Sequence, residues 1–166
     1  MKIIRHFKLS HGVVAAFLAA VMIVACKPDD DNPPSDNYDR ETMLSNYATS
    51  YIVPAYAEYE SQVNALQSEV ADFNNTLTEN ALQDLRVKWE TALLTWQDVA
   101  FLEFGPAANI SLRTQTNIYP TDTATIKSNI NSGSYNLEVP SNFSAKGFQA
   151  LDYLLHGIKS TDAEIV

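Results

Sequence analysis

Two long segments of the chain repeat apolar residues at intervals of three and four, which places those residues on one face of an α-helix. The first segment runs from about Asp39 to Asn74, and the second runs from about Leu77 to Phe104. The stripe of the first segment comprises Tyr56, Tyr59, Val63, Leu66, Val70 and Phe73. The stripe of the second comprises Leu82, Leu85, Trp89, Ala92, Trp96 and Val99. The pattern predicts two long amphipathic helices.

Local signals refine the ends of these helices. Pro54 predicts either a kink or the first turn after a break. A kink is favoured because the helical rhythm continues before the proline, through Met43, Leu44, Tyr47 and Tyr51. Asn74-Asn75 should close the first helix, and Thr76 with Glu79 has the spacing of a capping box at the start of the second.

Glu103 takes the next position of the second stripe, just before Gly105-Pro106 stops the helix. A lone buried carboxylate costs free energy unless it is paired or hydrogen-bonded. The pattern therefore predicts either a partnered carboxylate on the buried face or a glutamate at a frayed helix end that reaches water. Both interpretations stay open.

Shorter elements are expected in the rest of the chain. Residues 105–143 are rich in Asn, Ser, Thr, Gly and Pro. A short helix is predicted near Asp122 to Ile130, and either a short strand or an extended loop is predicted at 135–139. A last long helix is predicted from Ser144 to Gly157, and a further helix should open at Thr161-Asp162. One polar face of the last long helix carries three side chains, Gln149, Asp152 and His156.

The N-terminal end of the chain predicts export and lipid attachment. A basic start and an apolar run from Gly12 lead to Ile23-Val24-Ala25-Cys26, which has the pattern of a bacterial lipobox. We therefore expect residues 1–25 to be a lipoprotein signal peptide and Cys26, the only cysteine, to carry the lipid. The apolar run up to Ala25 is 14 residues long. A bilayer span needs roughly 20, so a lipid anchor is favoured over a transmembrane helix.

Residues 26–38 predict an acidic, flexible tether. Lys27 followed by Asp29-Asp30-Asp31 resembles the export signal of surface lipoproteins, so we expect an envelope protein anchored to the outer membrane, on either its periplasmic or its external face. Eight basic and 20 acidic residues follow Ala25, which gives the mature chain a net charge of −12. This charge excludes nucleic acid as an expected partner, because its phosphates would be repelled.

Several segments resemble the imelysin family, which includes an insulin-cleaving membrane protease and lipoprotein relatives. The resemblance covers essentially all of the chain after the tether. The segments that carry it are Tyr51–Tyr56, Trp89–Gln97, Phe101–Pro106, Ser111–Arg113, Asn117–Pro120 with Asp122, and Lys146–Gly157.

The resemblance implies an all-α fold in which two related helical bundles face each other across a cleft. Family members are roughly twice as long as this chain. Residues 39–166 are therefore expected to be the N-terminal bundle of an imelysin-like domain that is truncated at its C-terminus.

The family motif is Gly-x-His-x-x-Glu on a helix, a spacing that suits metal ligands inside helical bundles. In this sequence Gly147 matches the glycine, Gln149 takes the histidine position and Asp152 takes the glutamate position. A glutamine amide is a poor metal ligand and no base, so peptidase activity is put in doubt. The candidate ligand-binding residues are these three together with Glu103 and Arg113, and Asp152 and Glu103 are the candidate metal ligands.

Three functions follow as hypotheses. The first is an envelope protein that binds a metal ion, a metal-containing ligand or a peptide in connection with iron uptake, with envelope uptake proteins as partners. The cofactor would be a divalent or ferric ion held by hard oxygen ligands. The second is a metallopeptidase-like enzyme, and the third is a non-catalytic structural or adhesive surface lipoprotein.

Overall fold

The computed structural model describes residues 37–166. The predicted signal peptide, the lipidated Cys26 and nearly all of the tether lie outside the described residues and stay predictions. Every element below belongs to one unit, Arg40–Val166. Within residues 37–166 all regular structure is helical and no strand occurs, so the all-α prediction is confirmed.

The first predicted helix is present, with a widened turn just before Pro54. Helix α1 spans Arg40–Tyr47, a π-helical turn follows at Ala48–Ile52, and α2 continues over Val53–Asn75. In the π turn, the Val53 N–H donates to the carbonyl of Ala48, five residues back. A proline ring crowds the carbonyl four residues earlier, and an extra residue in the turn relieves that crowding. The irregularity predicted at Pro54 is therefore a π turn.

Helix α3 spans Glu79–Val99, so it begins later and ends earlier than predicted. Its N-cap is Thr78, which has extended backbone (φ −137°, ψ 155°) and whose hydroxyl accepts from the Ala81 N–H at 3.2 Å. The capping box predicted at Thr76 and Glu79 is wrong, because Thr76 instead terminates α2. Side-chain spacing cannot tell these threonines apart, since a cap is decided by the backbone conformation of the capping residue.

Helices α2 and α3 pack side by side, and their apolar stripes form the main core. Trp96 on α3 is 2% exposed, and its ring centroid lies 5.5 Å from that of Tyr59 on α2. Two residues of the C-terminal segment enter the same core. The buried members of this core are Leu66, Leu82, Leu85, Ala92, Trp96, Val99, Leu102, Phe148 and Leu155.

Three short helices follow the helix pair. They are α4 at Pro106–Asn109, α5 at Leu112–Thr116 and α6 at Thr123–Ser132. Asp122 caps α6 by accepting from the Thr125 N–H at 2.9 Å and from the Thr125 hydroxyl at 2.7 Å. These two hydrogen bonds lower the pKa of Asp122 below its ordinary value. Gly133 ends the helix in the left-handed conformation (φ 62°). The short helix predicted near Asp122 to Ile130 is therefore confirmed.

The C-terminal segment is more broken than predicted. Its elements are a 3-10 helix at Pro140–Ala145, α7 at Phe148–Asp152, a π turn at Tyr153–Gly157 and α8 at Asp162–Ile165. The predicted start at Ser144 is wrong, because Gly147 takes a conformation outside the helix (φ 81°, ψ −165°). The helix predicted at Thr161-Asp162 is present and has a capping box formed with Glu164.

Within residues 37–166, no helix combines the length and the apolar character that crossing a bilayer requires.

Candidate functional site

Glu103 lies beyond the end of α3, in an exposed turn. The helix ends at Val99, and Leu102 takes the next buried position at 3% exposure. Glu103 is itself exposed. Of the two interpretations left open by the sequence, the glutamate that reaches water is therefore confirmed, and the carboxylate on the buried face is wrong.

Glu103 lines a small recess together with Arg113 and Tyr56. The Tyr56 hydroxyl donates to the Leu102 carbonyl at 3.3 Å. Burial raises the pKa of Tyr56, and the nearby Glu103 carboxylate raises it further. Among residues 37–166, neither Glu103 nor Arg113 takes part in an ion pair. Both side chains are exposed, but the recess between them encloses no space for a ligand.

Gly147 is held against α5 at the start of the motif helix α7. A Cβ at this position would overlap the backbone carbonyl of Thr116, the last residue of α5. Its positive φ of 81° also belongs to a region of backbone space that side chains disfavour. Both observations require glycine, so the residue positions α7, and its role in ligand binding stays a prediction.

Gln149 faces the segment that follows α5. Its amide nitrogen donates to the side-chain oxygen of Asn117 at 3.0 Å, and Gln149 is half-buried. This hydrogen bond joins residues that are 32 positions apart and ties α7 to the segment after α5. The motif position that holds histidine in the family pattern therefore carries a neutral amide that is already hydrogen-bonded.

Asp152 and His156 form a pair one helical turn apart, as their common face predicted. The His156 Nδ1 lies 2.9 Å from the Asp152 carboxylate and 3.1 Å from its backbone carbonyl. Trp89 on α3 contacts this pair edge-on, with its ring centroid 5.4 Å from that of His156. The Trp89 indole N–H also donates to the Phe148 carbonyl at 3.0 Å. An indole of α3 therefore contacts both the start of α7 and the π turn that follows it.

Arg86 of α3 fixes the end of the C-terminal segment. Its Nε donates to the Leu155 carbonyl at 3.0 Å, and its two terminal nitrogens contact Asp162 at 2.6 and 2.7 Å. Gln83 donates to the same carboxylate at 2.8 Å. The Arg86 guanidinium lowers the pKa of Asp162 below its ordinary value. Sequence reasoning missed this cluster, although an arginine directly beside the apolar stripe at Leu85 was a signal for it.

The family model described as Imelysin (Peptidase M75) matches residues 52–165, which is more than half of the chain. The chain belongs to the imelysin family. No curated protein and no solved structure matches it. The match spans every residue of the site described above, from Tyr56 to Asp162.

Within this imelysin-family segment, the structure groups the predicted site residues into separate sets. Glu103 and Arg113 line one recess, while Gln149 bonds to Asn117 and Asp152 pairs with His156. Among residues 37–166, no hydrogen bond or ion pair links the first set to the motif residues. The ligand-binding role predicted for these residues stays a prediction.

The imelysin motif does not form a metal centre from the described residues alone. Across residues 37–166, no three side chains among His, Cys, Asp and Glu lie close enough together to hold a metal ion. At the motif, two potential metal-binding side chains do lie together, the carboxylate of Asp152 and the imidazole of His156. The described residues do not fit a metal centre built by this segment alone. Asp152 and Glu103 as joint metal ligands stay a prediction.

Proposed function

We propose that this imelysin-family chain is a lipid-anchored envelope protein that binds a ligand at its motif helix without cleaving it. The ligand is a metal-containing chelate, and the protein serves iron uptake together with other envelope proteins. The anchor is the acyl group on Cys26, in the outer membrane.

The state of the two motif positions carries the proposal. Gln149 supplies a neutral amide whose N–H is bonded to Asn117, and an amide cannot act as a general base. Asp152 keeps a carboxylate, and its partner is His156. This arrangement favours recognition of a ligand by hydrogen bonds and charge over activation of a water molecule.

The pair of Asp152 and His156 favours a chelated metal over a free ion. Both side chains are accessible to solvent, with 47% and 41% of their side-chain surface exposed. Two protein donors are too few for a resident metal centre, but a chelate brings its own donors and leaves only a few positions for the protein. Hard carboxylate oxygens suit ferric iron, which agrees with the iron uptake that the family resemblance implies.

The membrane attachment rests on the sequence at Ile23–Cys26, because those residues lie outside the described range. Expression in bacteria fed a labelled fatty acid tests it. Wild-type protein should incorporate the label and fractionate with membranes, and Cys26→Ala should do neither. Label retained by Cys26→Ala would contradict the anchor.

Ligand binding is tested by titrating the purified chain with ferric citrate and measuring the bound iron. Asp152→Asn and His156→Gln should each weaken binding by about tenfold or more, since each removes one donor. Asp84→Asn is the matched control, because Asp84 is an exposed carboxylate on α3 away from the motif. Equal binding by all four proteins, with unchanged thermal stability, would contradict the proposed site.

The second candidate function, a peptidase, is favoured by the family description and is tested separately. Purified chain is incubated with the insulin B chain, and products are analysed by mass spectrometry. We expect no cleavage above that of Asp152→Asn. Cleavage that is lost in Asp152→Asn would replace binding by catalysis as the function. Neither iron binding nor cleavage would leave the structural or adhesive role.

A further inference from the structure

An apolar groove runs along α2 on a part of the surface that the motif residues do not line. It consists of two adjoining recesses of about 600 and about 430 Å³. Both recesses share Ile52, Tyr56 and Leu112, so they form one continuous depression. We call this depression the apolar groove. Neither Gln149 nor Asp152 lines it, which makes it independent of the ligand site proposed above.

The groove has the length and the surface of a helix-docking site. Its lining on α2 extends from Ile52 to Asn64, which is roughly 18 Å at the rise of an α-helix. Large apolar side chains remain open to solvent along it, with Val53 62%, Phe104 56% and Ile110 61% exposed. Contiguous exposed apolar surface of this kind marks an interaction site, and a groove between helical elements suits an amphipathic helix.

Charge around the groove selects the partner. Helix α2 carries four carboxylates and no Lys or Arg over its 23 residues. One of them, Glu60, lines the groove, and Glu103 lines the small recess that shares Tyr56 and Leu112 with it. Arg113 is the single basic residue lining these three recesses. The two recesses of the groove therefore carry one carboxylate and no basic side chain, and a basic partner gains Coulomb energy there while an acidic one loses it.

We propose that the apolar groove binds an amphipathic helix of a partner protein, with apolar residues facing the groove and basic residues facing the carboxylates of α2. A second copy of this chain is disfavoured as the occupant, because its own α2 would bring four more carboxylates to the contact. An anionic lipid surface is disfavoured for the same reason. The partner is thus a cationic, apolar helical segment.

The probe is a fluorescent peptide of about 18 residues with leucine on one helical face and lysine on the other, since this length spans the groove. Its counterpart replaces every lysine by glutamate. The purified chain should bind the lysine peptide saturably, with one peptide per chain and an affinity at least about tenfold above that for the glutamate peptide. Raising salt from about 50 to about 500 mM should weaken the binding, because screening reduces the attraction.

Matched variants separate the groove from the rest of the surface. Phe104→Ser and Val53→Ser should weaken binding of the lysine peptide, by about tenfold and about threefold, because each removes apolar contact area. The controls are Phe101→Ser and Val87→Ser, at side chains 62% and 58% exposed that line neither recess. These controls should bind like the wild type, and Glu60→Gln should weaken binding and flatten its salt dependence.

Two results of the peptide experiment would overturn the proposal: equal binding of the two peptides, or an equal loss of binding in the control variants. Two further results would also overturn it. One is a dimer, seen in sedimentation, that Val53→Ser dissociates, and the other is binding to phosphatidylcholine vesicles that Phe104→Ser abolishes. The last two would assign the groove to a second copy or to lipid. None of these results bears on ferric citrate binding at Asp152 and His156, so the two proposals fail independently.

Discussion

The helix pair α2–α3 and the segment from Gly147 to Val166 differ in how much hydrogen bonding is added to their apolar packing. The helix pair meets through buried apolar side chains such as Leu82 and Trp96, which are 0% and 2% exposed. The C-terminal segment contributes Phe148 and Leu155 to the same core, and polar bonds also fasten it to α3, from the Arg86 guanidinium and the Trp89 indole to backbone carbonyls.

Apolar packing and hydrogen bonding differ in how far they can be predicted from the sequence. Apolar packing depends on the side of a helix that a residue occupies, so it leaves a periodic trace in the sequence. Hydrogen bonds to a backbone carbonyl depend on one geometry and leave no periodic trace. The motif residues of the candidate site lie in the C-terminal segment. We expect substitutions there to loosen the structure locally, and substitutions in the core of the helix pair to lower the stability of the whole chain.

The largest effect is expected from Trp96→Ala. Removing this buried indole should destabilise the whole chain by about 3–5 kcal/mol, because apolar burial is lost and a cavity remains. Chemical denaturation followed by circular dichroism measures the change. Leu94→Ala, at a side chain 62% exposed on the same helix, should cost less than about 0.5 kcal/mol. Similar losses for both variants would show that α3 is not packed as described.

Gly147→Ala should cost about 2–4 kcal/mol, because alanine strains the positive φ and its Cβ meets the Thr116 carbonyl. The matched control is Gly133→Ala, where φ is also positive but no atom lies within 4 Å. That control should cost only about 1 kcal/mol. Hydrogen exchange should speed up at residues 148–155 in Gly147→Ala and stay slow at Trp96. Uniform acceleration along the chain would remove the distinction between the two regions.

Arg86→Met should destabilise the chain by about 1–2 kcal/mol, mainly through the lost hydrogen bonds to the Leu155 carbonyl. Solvent screens the ion pair with the partly exposed Asp162, so that pair contributes less. Lys88→Met, at an exposed position on the same helix, is the control and should change stability little.

Arg86→Met should also change how the stability of the chain depends on pH. Because Arg86 lowers the pKa of Asp162, the stability from this contact is present above the ordinary value of 3.8 and is lost as the pH falls below it. Wild type should therefore lose more stability than Arg86→Met between pH 5 and pH 3. Parallel pH profiles would rule out the contact as a source of stability.

The smallest effect is expected at the start of α3. Thr78→Ala should cost about 1 kcal/mol, because the Ala81 N–H loses its side-chain acceptor. Thr76→Ala should change stability by less than about 0.5 kcal/mol, since its side chain caps no helix. Thermal unfolding of the two variants decides between the observed cap and the one predicted from spacing. A larger loss at Thr76 would restore the spacing-based prediction.

Much of the helix pair was predictable from the sequence, and the reason is periodicity. The stripes from Tyr56 to Phe73 and from Leu82 to Val99 form the core surfaces that they predicted. The ends were missed where backbone conformation decides, as at Thr78 and Gly147. The end of α3 was missed because Leu102 takes a buried position that the helical rhythm assigned to Glu103.

Less of the candidate site was predictable. The common face of Asp152 and His156 follows from helical spacing, and their contact confirms it. The bond from Gln149 to Asn117 and the one from Arg86 to Leu155 join residues 32 and 69 positions apart. No local pattern encodes contacts at such separations. The family resemblance pointed to the right segments, and it did not foresee which side chains would meet.

Trp89 gives the motif helix an optical reporter of its own. The indole lies against the His156 ring and donates to the backbone at the start of α7. Because the two rings are in contact, a change in the position of His156 should alter the fluorescence of Trp89. The only other indole, Trp96, is enclosed in the core and supplies a steady background. Events at Asp152 and His156 can therefore be timed without attaching any label.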